Sequence, residues 1–109
     1  MATTYSTLGQ SNPAATTQTT LYTCPASTQT VVSSLVVCNQ GGSSATYRLA
    51  IRKNAATLDA SMYLVYDATI NANSSVAYTL GMTVDASDLI TVYASTATMS
   101  FTAFGSKIA

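Results

Sequence analysis

Short runs of alternating apolar and polar residues follow one another along most of the chain, separated by residues that favour turns. An alternation with a period of two places successive side chains on opposite faces of an extended segment and so predicts β-strands. The stretch ATYRLAIR is the clearest example. Its inward face is expected to comprise Tyr47, Leu49 and Ile51. Arg48 and Arg52 are then expected to face outward.

Seven strands are predicted in this way, with turn residues such as Gly, Asn, Pro and Asp between them. They cover residues 21–24, 30–39, 45–52, 62–70, 75–81, 89–95 and 98–104. Strict alternation in the second strand sets Val32, Val36 and Cys38 on one face and Leu35 and Val37 on the other. Both faces are apolar, which indicates a central strand. The pattern predicts an all-β fold, an antiparallel β-sandwich that resembles a jelly roll.

The first 20 residues differ from the rest because Tyr5 and Leu8 are their only large apolar residues beyond Met1. We expect residues 1–20 to form an extended N-terminal arm and residues 21–109 to form the sandwich domain. The segment could be a disordered tail or an arm that docks on a neighbouring chain. The arm is the favoured interpretation, with Tyr5, Leu8, Gly9 and Gln10 as candidate contacts.

Charge is scarce: four Lys and Arg residues balance four Asp residues, and the sequence has no Glu. This balance argues against a nucleic-acid partner, because each phosphate contact needs a basic side chain. Hydroxyl groups take the place of charge, with 19 Thr and 14 Ser residues. Such a surface suits burial in an assembly, because few ions must lose water on docking. The longest apolar run, MYLVY, is too short to span a bilayer, so no membrane association is expected.

The residues favour no reaction and no cofactor. Without histidine, the usual Ser-His-Asp and Cys-His catalytic sites are excluded. Asp85 and Asp88 could hold Ca²⁺, but capping of a turn is the favoured interpretation. Cys24 and Cys38 cannot complete a zinc site. We therefore expect no catalytic residue, no metal and no cofactor, and hence no enzyme.

A disulfide between the two cysteines is not expected either. If residues 25–28 turn a hairpin, Cys24 pairs near Gln29, and Cys38 lies about 30 Å farther along the strand. Bridged Cα atoms lie within about 7 Å of one another. Both cysteines are therefore predicted to be small apolar residues of the core.

Two surface features remain as candidates for binding. Arg48 and Arg52, with Lys53, could bind carboxylates of a partner, or they could belong to a solvated strand face. Seven tyrosines could form a sugar-binding surface. Strict alternation, however, sets Tyr63 and Tyr66 on opposite faces, which favours packing.

Four motifs in order along the chain suggest a family. They are LGQ at residues 8–10, LYTCPA at residues 21–26, VVCN at residues 36–39 and TYRLA at residues 46–50. In this combination the chain resembles small virion structural proteins of tailed bacteriophages, including cyanophages. The later half, from YLVYDATI onward, continues the resemblance.

The resemblance implies a non-enzymatic virion structural protein, located in the virion and assembled in the host cytoplasm. We expect a capsid decoration (cement) protein that bridges and stabilises coat subunits. Its partners would be other virion proteins, coat or tail subunits, and further copies of itself in a homo-oligomer such as a trimer. The alternative is a tail, baseplate or fibre-associated module that binds a receptor or a glycan.

Overall fold

The computed structural model describes residues 2–109 and shows an all-β sandwich, as the sequence predicts. Within that range there are nine strands and two short 3₁₀ turns, Lys53–Ala55 and Ala60–Met62. The strands are β1 (Thr3–Ser11), β2 (Thr19–Thr23), β3 (Gln29–Asn39), β4 (Ala45–Arg52), β5 (Tyr63–Ile70), β6 (Ser74–Tyr78), β7 (Met82–Val84), β8 (Leu89–Ala94) and β9 (Met99–Ile108). The seven predicted strands are present, and β1 and β7 are additional. None of the elements in residues 2–109 is a helix long and apolar enough to cross a membrane.

Two antiparallel sheets pack face to face. The five-stranded sheet has the order β1-β9-β3-β6, with β7 pairing with β3 beyond the end of β6. The four-stranded sheet has the order β2-β8-β4-β5. Chain neighbours therefore often lie in different sheets, so that most of the pairing joins residues distant in sequence.

The core lies between the two sheets and is built from the alternating positions of their strands. Tyr47 and Leu49 of β4 face it as predicted, while Ile51 is partly buried against it. From the other sheet, Phe101 of β9 is fully buried and meets Tyr47 edge to face, with ring centroids 6.4 Å apart. Burial of these large side chains is the main force that holds the sheets together.

The prediction for the faces of β3 is wrong, because a β-bulge interrupts the strand. The register with β9 shifts between Val32 and Ser34. The extra residue reverses the alternation, so Val32, Leu35 and Val37 all face the core. Cys38 then lies half-buried on the opposite face, so the prediction that it belongs to the core is wrong. The strand is nevertheless central, as expected, since it pairs on both sides.

The N-terminal segment is extended, as predicted, but its partner is its own chain. Residues 3–11 form β1, the edge strand that pairs antiparallel with β9. Leu8 packs against the core. A Cβ added at Gly9 would lie 2.3 Å from the carbonyl oxygen of Leu21, so the sheets approach too closely there for a side chain. Whether residues 21–109 fold without this segment stays a prediction.

The predicted hairpin across residues 25–28 is wrong, because β2 pairs with β8 and lies in the sheet opposite β3. Cys24 is buried, as predicted, and its Sγ lies 3.3 Å from the carbonyl oxygen of Thr28. Within the described residues both cysteines are free thiols. Cys24 is thus a buried core residue, as predicted. Its position follows from the pairing of β2 with β8 and not from the predicted hairpin.

Candidate functional site

The acidic turn between β7 and β8 is a structural feature. The Asp88 carboxylate is buried and accepts hydrogen bonds from the backbone N–H of Asp85 and of Asn54, both at 2.9 Å. It also accepts from Lys53 Nζ at 3.0 Å. Burial acts to raise the pKa of Asp88, but these donors outweigh it and hold the pKa below its usual value. The predicted capping role of Asp88 is therefore confirmed. Among residues 2–109 no group of three His, Cys, Asp or Glu side chains is placed to hold a metal ion.

Arg48 is the centre of an aromatic cluster on the outer face of the four-stranded sheet. Its Nε donates to Asp67 Oδ1 at 2.6 Å and its second terminal nitrogen donates to Asp67 Oδ2 at 3.2 Å. The guanidinium carbon lies 4.3 Å from the ring centroid of Tyr66 and 4.2 Å from that of Tyr93. The cation is thus stacked between two tyrosines while a bidentate ion pair fixes its plane. The bond to Asp67 raises the pKa of Arg48 and lowers that of Asp67.

A bulge in β5 brings the tyrosines together, contrary to the sequence prediction. The register with β4 shifts on either side of Leu49, and Asp67 adopts a positive φ of 51°. Asp tolerates this conformation better than most residues. The second shift, between Leu49 and Ala50, adds one residue between Tyr63 and Val65 of β5, and Tyr63 and Tyr66 are in edge-to-face contact, with centroids 4.9 Å apart. The polar Asp67 inside an apolar strand run signals the first shift, but no residue signals the second one, between Tyr63 and Val65.

A small cavity of about 240 Å³ lies beside the aromatic cluster. Its walls include Leu58, Tyr63, Tyr93 and Gln18, and Thr91 also lines it. Thr91 is 3% exposed, and its Oγ1 has no hydrogen-bond partner within the described part of the chain. A wider open groove, lined by Leu58, Asp59, Ala60, Tyr63 and Tyr66, shares Leu58 and Tyr63 with the cavity. Thr91 gave no signal in the sequence, because the pairing of β8 with β4 was needed to place it.

The two other basic residues of this region also have partners in their own chain. Arg52 donates from Nε to the carbonyl oxygen of Ala56 at 2.7 Å. Lys53 forms ion pairs with Asp85 at 3.3 Å and Asp88 at 3.0 Å. The positive charges at Arg48, Arg52 and Lys53 are therefore engaged within the chain, although binding to a partner through Arg48 and Arg52 stays a prediction.

The outer face of the five-stranded sheet has a different character. Lys107 is the one charged residue in its strands within residues 2–109. It pairs with Thr30, whose side chain faces the core. Because paired residues point to the same side of a sheet, Lys107 does not lie on the outer face. The outward positions carry hydroxyl and apolar side chains instead, including a shallow depression lined by Tyr5, Val31 and Phe104. Phe104 is 40% exposed. This face, called the uncharged face below, is suited to docking because it has few ions to desolvate.

The predicted contact residues of the N-terminal segment are divided between the two sides of β1. Tyr5 is 83% exposed and, with Gln10, lies on the outer side. Leu8 and Gly9 are engaged within the molecule, as described above. Tyr5 and Gln10 are thus available for contact with a partner, and their role there stays a prediction.

Comparisons of the chain with protein-family models, with curated proteins and with solved structures found no match.

Proposed function

We propose that this chain is a non-enzymatic structural protein of a bacteriophage particle, and specifically a capsid decoration (cement) protein. Its motifs resemble those of small virion proteins of tailed phages. The β-sandwich fold is compatible with that role, but proteins with this fold also have many other functions. The proposal therefore needs support from a particular surface of the molecule.

The uncharged face supplies that support. Water binds ions tightly, so a surface without ions loses little solvation free energy when a partner covers it. The exposed rings of Tyr5 and Phe104 add apolar area that gains free energy on burial. The same face is rich in Thr and Ser, which keep an unattached copy solvated. We propose that coat subunits cover this face in the assembled particle.

The decoration mechanism follows from mass action. A copy that contacts two neighbouring coat subunits binds the assembled lattice but not the separated subunits. Each bound copy then shifts the equilibrium toward the assembled state by a free energy that depends on its concentration and affinity. No chemical step is needed, and many weak contacts add up over the lattice.

A reconstitution experiment tests this proposal. Purified protein is added to capsids that lack it, and bound protein and the temperature of capsid disruption are measured. We expect saturable binding and a higher disruption temperature. The substitution Phe104→Asp should weaken binding because it buries a charge in the contact.

The matched control is Leu64→Asp, which places the same charge on the other sheet at a side chain of similar exposure, 44% against 40% for Phe104. It should bind capsids like the unmodified protein. If Phe104→Asp and Leu64→Asp bind capsids equally well, the uncharged face is not the contact surface. If the unmodified protein does not bind capsids, the decoration role is rejected.

A second candidate function is a tail, baseplate or fibre-associated module with receptor or glycan binding. The tyrosine cluster around Arg48 favours it, because exposed aromatic side chains are enriched at binding surfaces. The two functions differ in copy number. A decoration protein is present in amounts comparable to the coat protein, whereas a tail module is present in the few copies that tail symmetry requires.

A further inference from the structure

We propose that the outer face of the four-stranded sheet holds a binding site for a neutral saccharide. One sugar ring would occupy the cavity at Thr91, and the adjoining groove beside Tyr66 would take a second ring or a substituent. The site belongs to the sandwich itself, so the proposal holds whether the protein attaches to a capsid, to a tail or to neither.

The dimensions of the cavity suit a small ring. Its volume of about 240 Å³ lies just below the roughly 300 Å³ at which pockets for drug-sized ligands begin. Its neighbour, the open groove along Tyr63 and Tyr66, measures about 590 Å³. Leu58 and Tyr63 border both spaces, so a ligand that occupies both would lie against these two side chains.

The hydroxyl of Thr91 points to a polar ligand. A buried hydroxyl without a partner costs free energy, and native proteins seldom leave one unsatisfied. Thr91 Oγ1 is in this position in the described part of the chain, and Thr91 lines the cavity. Because Thr91 Oγ1 has less than 1 Å² of accessible surface, a ligand hydroxyl reaches it only when a neighbouring side chain of the cavity wall moves aside; it could then donate to Oγ1 or accept from it. The exposed side chain of Gln18, at the rim, offers an amide donor and acceptor nearby.

The aromatic side chains supply the apolar half of the recognition. A pyranose ring has a face of C–H groups that packs on an aromatic ring. Tyr66 is 59% exposed although one side of its ring is covered by Arg48. The bidentate bond from Arg48 to Asp67 holds the stacked tyrosines in place before a ligand arrives. A rigid site of this kind loses little entropy on binding.

The charges of the site favour a neutral sugar. Arg48 is neutralised by Asp67, and the groove contributes the carboxylate of Asp59. Ser61 donates to Oδ1 of Asp59 from both its N–H and its hydroxyl, which lowers the pKa of Asp59 and keeps it ionised at neutral pH. Among the described residues that line the cavity and the groove, no cation is left unpaired. An anionic sugar would therefore meet repulsion rather than a counter-ion.

The test is a titration of the isolated protein, followed by NMR. The probes are the methyl glycosides of glucose, galactose, mannose and N-acetylglucosamine, with N-acetylneuraminic acid as the anionic probe. Concentrations up to about 50 mM detect a Kd in the millimolar range. We expect at least one neutral glycoside to shift the signals of Thr91, Tyr63 and Tyr66, and we expect no such shift from the anionic sugar.

Three variants separate this site from general packing. Thr91→Val keeps the shape and removes the unpaired hydroxyl, so the fold should be at least as stable as before while the Kd rises about tenfold, the loss of one hydrogen bond. Tyr66→Leu removes an exposed aromatic face and should raise the Kd about fivefold. Tyr5→Leu, on the opposite sheet, is the control and should leave the Kd unchanged.

The proposal fails if no neutral glycoside shifts these signals, if the anionic sugar binds more tightly, or if Thr91→Val binds the sugar as well as the unmodified protein does. Capsid binding is measured separately and does not enter this result. Loss of sugar binding would leave the decoration role standing, and loss of capsid binding would leave the sugar site standing.

Discussion

Asn39, at the end of β3, organises the loop that follows it. Its side chain is fully buried. The Nδ2 group donates to the carbonyl oxygens of Ser43 at 2.9 Å and of Asn71 at 3.3 Å. The Oδ1 atom accepts from the N–H of Gly41 at 3.0 Å and from Thr98 Oγ1 at 3.1 Å. One amide thus joins three loops at this end of the sandwich.

Replacing Asn39 with Ala should destabilise the protein by about 2 to 4 kcal/mol, because several buried polar groups lose their partner at once. Chemical denaturation measures the change. Asn71→Ala, at an exposed position, is the control and should change stability by less than about 0.5 kcal/mol. If the two variants are equally stable, Asn39 does not have the organising role given to it here.

The buried carboxylate of Asp88 makes stability depend on pH. Its pKa in the folded protein is below the value in the unfolded chain, so it stabilises the fold above the unfolded pKa, near 3.8. That stability is lost as the pH falls through the folded pKa. The free energy of unfolding should therefore be nearly constant from pH 7 to 5 and decrease below about pH 4.

Denaturation of Asp88→Asn across this pH range tests the assignment. The variant should be less stable at pH 7 and less sensitive to acid, with the remaining sensitivity due to Asp59 and Asp67, whose pKa values are also lowered. Asp85→Asn is the matched control in the same turn, since the Asp85 side chain is 56% exposed. An acid profile of Asp88→Asn identical to that of the unmodified protein would contradict the role of Asp88.

At the scale of elements, β1 changes what we expect from truncation. Residues 21–109 contain nearly all of the core, which is why the sequence predicts that they fold alone. The structure adds that β1 covers the edge of β9 and that Asn12 Nδ2 donates to the carbonyl oxygen of Ala97 at 3.0 Å.

Deletion of residues 1–20 should therefore lower the melting temperature, because it exposes the edge of β9, removes the packing of Leu8 and removes the first two residues of β2. Thermal unfolding of the two forms measures the effect. An unchanged melting temperature would support the predicted boundary at residue 20, and a marked decrease would show that residues 1–20 and the sandwich form one cooperative unit.

Much of the fold follows from local patterns, and the differences have identifiable causes. The alternation in β4 is regular, so Tyr47 and Leu49 were placed correctly. One bulge in β3 and two register shifts in β5 reverse the faces, and local alternation reveals none of them except the shift that Asp67 marks. The strand β1 was missed because an edge strand rich in Thr and Ser lacks the large apolar residues that identify a strand.

The candidate site was harder to predict than the fold, because it depends on pairing between distant strands. Arg48, Tyr66 and Tyr93 lie on three different strands, β4, β5 and β8. Their contact requires both the strand order and the bulge at Asp67. The sequence indicated that Arg48 faces outward, but it did not indicate that Asp67 would neutralise it.

At the scale of the whole molecule, the two outer faces are chemically different. The uncharged face of the five-stranded sheet suits permanent contact with a partner, proposed above to be coat subunits. The face of the four-stranded sheet carries the aromatic cluster around Arg48 and the cavity at Thr91. A protein attached through the first face would leave the second one open to solvent, where a saccharide could reach it.

The number of copies per particle tests the central claim, a decoration role, most directly. The proposed role requires that a phage encodes this chain; particles of that phage are purified, and the ratio of this protein to the coat protein is measured by quantitative mass spectrometry. We predict a ratio comparable to one copy for each coat subunit or for each small group of coat subunits. Absence from the particles, or a ratio as low as that of the tail proteins, would contradict the decoration role.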